Sequence, residues 1–165
     1  MATLSAPFNI GIKPGNEIRR KVSNVAIYQG SAVGSVIGTG YATPVRVATS
    51  GLTFIGVAEE TIDNSAGSAG DKWIRIRRTG LAAFNSSGLT VADLDKQVYF
   101  VSGSDDNTVG LTASAVYAGI LVALDSNGVA WVDITGAVND ILFVNTTDNK
   151  IYAQGLGIKS STALA

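Results

Sequence analysis

The chain has no cysteine and no histidine among its 165 residues. Without cysteine there is no disulfide, and the redox compartment cannot be read. Without histidine the commonest general base and the commonest transition-metal ligand are both missing. Ser-His-Asp and Cys-His nucleophilic arrangements are therefore excluded by composition. Charge is scarce too, at 15% of residues, where ordinary domains carry about 25%. A surface so poor in charge is covered by another protein, by Ser, Thr, Asn and Gly, or by both. No apolar run approaches the roughly 18 residues of a membrane helix. The start, Met1-Ala2-Thr3-Leu4-Ser5-Ala6-Pro7, lacks the basic beginning and apolar run of a signal peptide. The expectation is a soluble chain made in a cytoplasm.

What charge there is lies unevenly. Residues 1–78 hold nine Lys/Arg and five Asp/Glu, whereas residues 79–149 hold one Lys and eight Asp. Such an asymmetry suits head-to-tail association of copies or complementary patches on a partner. It is too mild to argue for nucleic acid.

Two stretches read as one design used twice. Phe54-Ile55-Gly56-Val57-Ala58 precedes a polar turn and Trp73-Ile74-Arg75-Ile76, and Tyr117-Ala118-Gly119-Ile120-Leu121 precedes a shorter turn and Trp131-Val132-Asp133-Ile134. With the tryptophans aligned, the Gly-to-Trp spacing is 17 in one copy and 12 in the other, a five-residue change in the turn. Turns absorb such insertions and strands do not. The two glycines mark bends or close packing against the paired Trp hairpin, and Trp73 and Trp131 read as core or hairpin anchors before ligand platforms.

The remaining pattern is short and period two. Strands are expected over 22–28, 32–37, 41–47, 52–58, 72–78, 80–84, 97–101, 109–112, 117–124 and 129–134, with a last hairpin of 141–144 and 150–153. In 72–78, Trp73, Arg75 and Arg77 share one face, and Ile74 and Ile76 share the other. Thr90-Val91-Ala92-Asp93 has the spacing of a helix start and predicts one short helical turn. Residues 63–71 read as a flexible turn. Many short strands with frequent turns, 19 glycines and no helical periodicity point to an all-β fold. It is expected to be a compact antiparallel β-barrel or β-tulip-like body at 22–136. An extended N-terminal arm of 1–21 precedes it, and a C-terminal hairpin and tail of 137–165 follow. In the arm, Phe8, Ile10 and Ile12 alternate as a segment that lays one face on a neighbour.

The chain carries few groups arranged for chemistry. The glycine-rich stretches at 30–35 and 38–40 are followed by no Gly-Lys-Ser/Thr and no helix that would accept a phosphate. Glu59 and Glu60 are adjacent, so a strand would point them to opposite faces. Asp105-Asp106-Asn107 offers oxygen ligands but lacks the alternation and distal Glu of a calcium loop. Arg75, Arg77 and Arg78 beside Trp73 suit ion pairs at a subunit boundary before stacking on bases. No cofactor and no metal is expected.

Four segments together resemble a known family. Phe54-Ile55-Gly56-Val57-Ala58-Glu59-Glu60, Gly80-Leu81, Gln97-Val98-Tyr99-Phe100 and Tyr117-Ala118-Gly119-Ile120-Leu121-Val122 occur in this order in small capsid proteins of tailed bacteriophages. The chain is similar to the head decoration, or cement, proteins over 22–135. The resemblance implies a β body that oligomerises, commonly as a homotrimer, on the capsid exterior of the virion. There it would bridge subunits of the major capsid protein and resist internal DNA pressure. It implies no catalytic residue, no cofactor, and neither nucleic acid nor membrane as partner. Residues 137–165 exceed the family pattern. On this reading Phe8, Ile10 and Ile12 dock the arm, and Arg19, Arg20, Arg75 and Arg77 make polar contacts with the lattice or sister subunits. Two alternatives stay open. One is a virion-surface module that binds host glycans through exposed Tyr or Trp. The other is a carboxylate-dependent hydrolase, which needs two acids within about 5–10 Å in a cleft.

Overall fold

The structure is a computed structural model that describes residues 15–45, 51–101, 107–112, 116–139, 141–145 and 150–154. The all-β expectation holds: strands dominate, and the described residues include a closed five-stranded barrel and antiparallel sheets. The first sheet contains β1 (Glu17–Lys21), β3 (Ala32–Val36), β4 (Ala42–Pro44), β5 (Leu52–Ala58) and β7 (Trp73–Arg77) in the order β1-β7-β5-β3-β4. The barrel contains β8 (Leu81–Ser86), β9 (Gln97–Phe100), β10 (Thr108–Gly110), β11 (Tyr117–Leu124) and β12 (Val129–Asp133) in the order β10-β8-β12-β11-β9. Two short strands, β2 (Ala26–Ile27) and β6 (Ile62–Asp63), pair with each other. A five-residue helix, α1 (Thr135–Asn139), leads to the antiparallel hairpin of β13 (Ile141–Asn145) and β14 (Lys150–Gln154).

The two five-stranded sheets are one arrangement used twice. Reading around the closed barrel from β8 gives β8-β12-β11-β9-β10, which matches β1-β7-β5-β3-β4 strand for strand. The registers match as well. Glu17 faces Arg77 as Leu81 faces Asp133, and Val57 faces Arg77 as Ile120 faces Asp133. Val33 faces Gly56 as Val98 faces Gly119, and each pair borders a β-bulge, at Ile55 and at Ala118. The parallel pairing of β8 with β10 that closes the barrel has its counterpart in the parallel bridge Val22–Ala42. Hydrogen bonds outside the strands repeat the correspondence. The Val22 N–H donates to Lys72 O as Ser86 donates to Gly128 O, Ser23 to Ala42 O as Ser87 to Val109 O, and Gly30 to Ala58 O as Asp95 to Leu121 O. We call residues 16–78 module 1 and residues 80–134 module 2.

The physical reason for the repeat lies in the two bulge glycines. Gly56 has φ +133° and Gly119 has φ +143°, in the region that disfavours a side chain. A Cβ on Gly56 would lie 2.1 Å from Arg77 O, and one on Gly119 would lie 2.2 Å from Asp133 O. Each bulge therefore presses its backbone onto the next strand, the sharp bend that a small barrel needs. The interiors also correspond. Val33/Val98, Ala42/Val109, Ile55/Ala118, Ala58/Leu121, Ile74/Ala130 and Ile76/Val132 are all buried. Side-chain size is exchanged between positions within each set, as a packed core tolerates when total volume is kept.

Three sequence expectations change. The repeat is real, but its register is not the one the tryptophans suggest: the partner of Gly119 is Asp133 and that of Gly56 is Arg77, so Trp131 is equivalent to Arg75 and Trp73 to Val129. The connection in module 1 is accordingly seven residues longer, not five. Next, Glu17–Lys21 belongs to the sheet as β1, so the last part of the expected arm is structural, and the expected strand at 22–28 is reduced to the Val22 bridge and β2. Third, the turn at 63–71 is held by specific bonds. Buried Asn64 donates through Nδ2 to Ser23 O and Ser68 O, both at 2.9 Å, while Asp63 accepts from Ser65 and Asp71 from Ser68. Small polar residues fix this turn by hydrogen bonding where they lack apolar area.

Candidate interaction surfaces

The outer side of the β1-β7-β5 sheet is ionic. Directly opposed residues on neighbouring strands share a face, which sets Glu17 with Arg77, Arg19 with Arg75, and Lys21 with Trp73. The Lys21 ammonium stands 5.7 Å from the centre of the Trp73 ring, within cation–π range. Arg19 and Arg75 are like charges in direct opposition, an arrangement that destabilises a sheet unless it is compensated. Compensation comes from the end of β5. Glu60 lies 3.4 Å from the Arg75 guanidinium and accepts the Arg75 backbone N–H at 2.9 Å. Arg77 Nε donates to Glu59 at 2.9 Å. Beside these pairs runs an open groove of about 420 Å³ lined by Gln29, Gly30, Val57, Ala58, Glu59, Arg75 and Arg77.

The equivalent side of module 2 is apolar. Leu81 replaces Glu17, Ala83 replaces Arg19, Trp131 replaces Arg75, and Ala123 and Val129 flank them on β11 and β12. Trp131 is 39% exposed and Leu81 55%, and the bulged Val122 is exposed as well. The only charge in these rows is Asp133, whose carboxylate accepts the Thr135 N–H at 2.9 Å. Contiguous exposed apolar side chains on a β-sheet face are the usual signature of a contact surface.

Of the residues singled out in the sequence, Arg19, Arg75 and Arg77 come together on the ionic face. Arg20 does not, because it opposes Ile74 on the other side of the sheet. Phe8, Ile10 and Ile12 lie outside the described residues, as do Asp105 and Asp106. Trp73 is 53% exposed, so of the expected core or hairpin anchor roles the core one is corrected: both tryptophans are surface residues. The barrel core is filled by Phe84 and Phe100 in their place. The rows missed by sequence reasoning are Leu81, Ala83 and Trp131, together with the acids Glu17, Glu59 and Glu60. The alternation in 80–84 and 129–134 carried half of that signal, but which strands are neighbours is a tertiary fact.

The titratable groups have structural partners. Asp93 ends the expected helical turn, a 3₁₀ turn over Val91–Asp93. One carboxylate oxygen accepts from Thr90 N and Oγ1, each at 2.8 Å, and the other from Lys96 Nζ at 2.9 Å. Lys96 first and Thr90 next pull the Asp93 carboxyl down from 3.8 to about 2. The Ser65 hydroxyl and N–H hold Asp63 below its ordinary value. Glu59 and Glu60 engage different arginines. Among the described residues no three acidic groups gather as a metal site requires.

No protein-family model matches the chain, and no curated protein matches it at a significant level.

Proposed function

We propose that the protein is a structural virion component that binds the outer surface of a tailed-phage capsid and stabilises the lattice of the major capsid protein. The observation that carries this reading is the pair of equivalent outward faces, one ionic around Arg19, Arg75 and Arg77 and one apolar around Leu81, Ala83 and Trp131. A cement protein needs a stiff body and several weak contacts, which on a repeating lattice sum to high avidity. A duplicated five-stranded module with two chemically distinct faces supplies both. The family resemblance in the motifs supports the same reading, including self-association as a homotrimer, and it assigns the chain no catalytic role. The test is heat or osmotic challenge of particles assembled with and without the protein. Particles lacking it should lose DNA at lower temperature, and equal survival rejects the stabilising role. Removing residues 1–14 should lower occupancy on particles while the sheet containing β1 stays folded; undiminished occupancy rejects arm docking.

A second reading is favoured by the exposure of Trp73 and Trp131, since indole faces open to solvent suit sugar rings. In that reading the chain is a virion-surface module that captures host glycans. A glycan array tests it: hits lost in Trp131→Ala or Trp73→Ala support capture, and an array without hits removes it.

A further inference from the structure

The contact between the modules is not symmetric, and its asymmetry leaves two surfaces over. Ile55 points into the core of module 1, whereas its neighbour Phe54 belongs to the core shared with module 2. Phe54 meets Phe100 with ring centres 5.1 Å apart, and Phe100 meets Phe84 edge-on at 5.3 Å. Ala32, Val45 and Leu52 belong to the same covered face, and the Ala32 N–H donates to Asn107 Oδ1 at 3.1 Å. In a two-fold contact, equivalent residues would be equally covered. Here they are not. Ala32 and Val45 are 0% and 1% exposed, yet their counterparts Gln97 and Thr112 are exposed. Phe84 is buried while its counterpart Arg20 is exposed. The outer face of one module therefore sits on the open end of the other, head to tail.

A head-to-tail contact always leaves one face and one end unmatched. The face is on module 2, where exposed Gln97 and Thr112 stand in the places of Ala32 and Val45, and half-buried Tyr99 and Tyr117, with ring centres 5.7 Å apart and Tyr117 packed against the barrel core, stand in those of Gly34 and Phe54. The end is on module 1, where Arg20 and Ser35 stand in the places of Phe84 and Phe100, beside Ile37, which is 65% exposed. We propose that a second copy of this chain fills both, the Gln97/Tyr117 face of one copy seating on the Arg20/Ser35 end of the next. The chemistry is altered to match. The buried Phe54–Phe100–Phe84 stack becomes a tyrosine facing an arginine, a pairing suited to a contact that forms between soluble chains. The overall charge agrees, with an excess of four positive charges in residues 1–78 and of seven negative in residues 79–149. Repetition of one such contact closes into a ring when the rotation allows. The inference stands on the module packing and does not depend on the capsid reading.

The absence of cysteine makes the test clean. Thr39 adjoins Gly40, the counterpart of Asn107, so the Ala32–Asn107 bond places Gln97 of one copy near Thr39 of the next. Both residues are exposed, and Thr39→Cys and Gln97→Cys should fold as the parent does. A short bismaleimide should yield covalent dimer in an equal mixture of the two variants and in neither variant alone. Adding Arg20→Glu to the Thr39→Cys chain should cut that yield at least fivefold, with an unchanged circular dichroism spectrum. No dimer in the mixture, equal yield from a single variant, or a yield unaffected by Arg20→Glu overturns the proposal. Particle-survival measurements are read separately, so failure of this interface is distinguishable from failure of the capsid role.

Discussion

The same six positions in the two modules carry different chemistry. Glu17, Arg19, Lys21, Trp73, Arg75 and Arg77 on module 1 become Leu81, Ala83, Asn85, Val129, Trp131 and Asp133 on module 2. The buried Ile74 and Ile76 answer to the equally buried, aliphatic Ala130 and Val132, and both bulges keep glycine. The difference shows what the scaffold demands. Inward residues answer to packing, where a lost methylene is felt. The bulge answers to a carbonyl 2.1–2.2 Å from where a Cβ would stand. Outward residues answer to neither, so the two copies are free to present one ionic and one apolar surface from a common frame.

The largest expected effect breaks the comparison at the module contact. Phe100→Ala should destabilise the protein by about 4 kcal/mol, because it removes a buried ring that touches both Phe54 and Phe84. The equivalent change in module 1, Ser35→Ala, should cost less than about 1 kcal/mol. Urea unfolding measures both, and equal losses would mean that the modules do not differ at this end. The next test sharpens the equivalence: Gly56→Ala and Gly119→Ala should each cost about 3 kcal/mol. If one is tolerated, the two bulges are not the same device.

Asn64→Ala addresses a feature that only module 1 has, the longer turn. It should cost about 2 kcal/mol, since it leaves the carbonyls of Ser23 and Ser68 without their donor. Arg75→Ala on the ionic face should change stability by no more than about 0.5 kcal/mol, as exposed ion pairs contribute little. A larger loss would make that face part of the fold rather than a surface for a partner.

Acid should act through module 2 at Asp93 and module 1 at Asp63. Both carboxyls are depressed in the folded state. Their contribution is therefore complete above the ordinary value of 3.8 and is lost as pH falls, for Asp93 over the interval down to about 2. Asp93→Asn should flatten that part of the pH–stability curve and lower stability above pH 5 by the contribution that acid otherwise removes. An unchanged acid limb would show that the Thr90 and Lys96 bonds do not carry it.

The sequence by itself determined the class of fold and the local devices. Alternation in 72–78 set Ile74 and Ile76 on the face opposite Trp73, Arg75 and Arg77, the Thr90-x-x-Asp93 spacing marked a helical turn, and the aromatic-x-Gly motif marked two bends. Each follows from geometry within a few residues of chain. Tertiary structure alone decided which strands are neighbours. That placed Trp131 opposite Ala83 and Ala123 on an open face and equivalent to Arg75, although aligning the two tryptophans looked natural in one dimension. It also drew Glu17–Lys21 out of the expected arm, because a charged strand with little apolar content is recognisable only beside the strand it pairs with. The physical reason is that strand pairing is non-local. A side chain's face is set by its own strand, while the surface it joins is set by strands dozens of residues away.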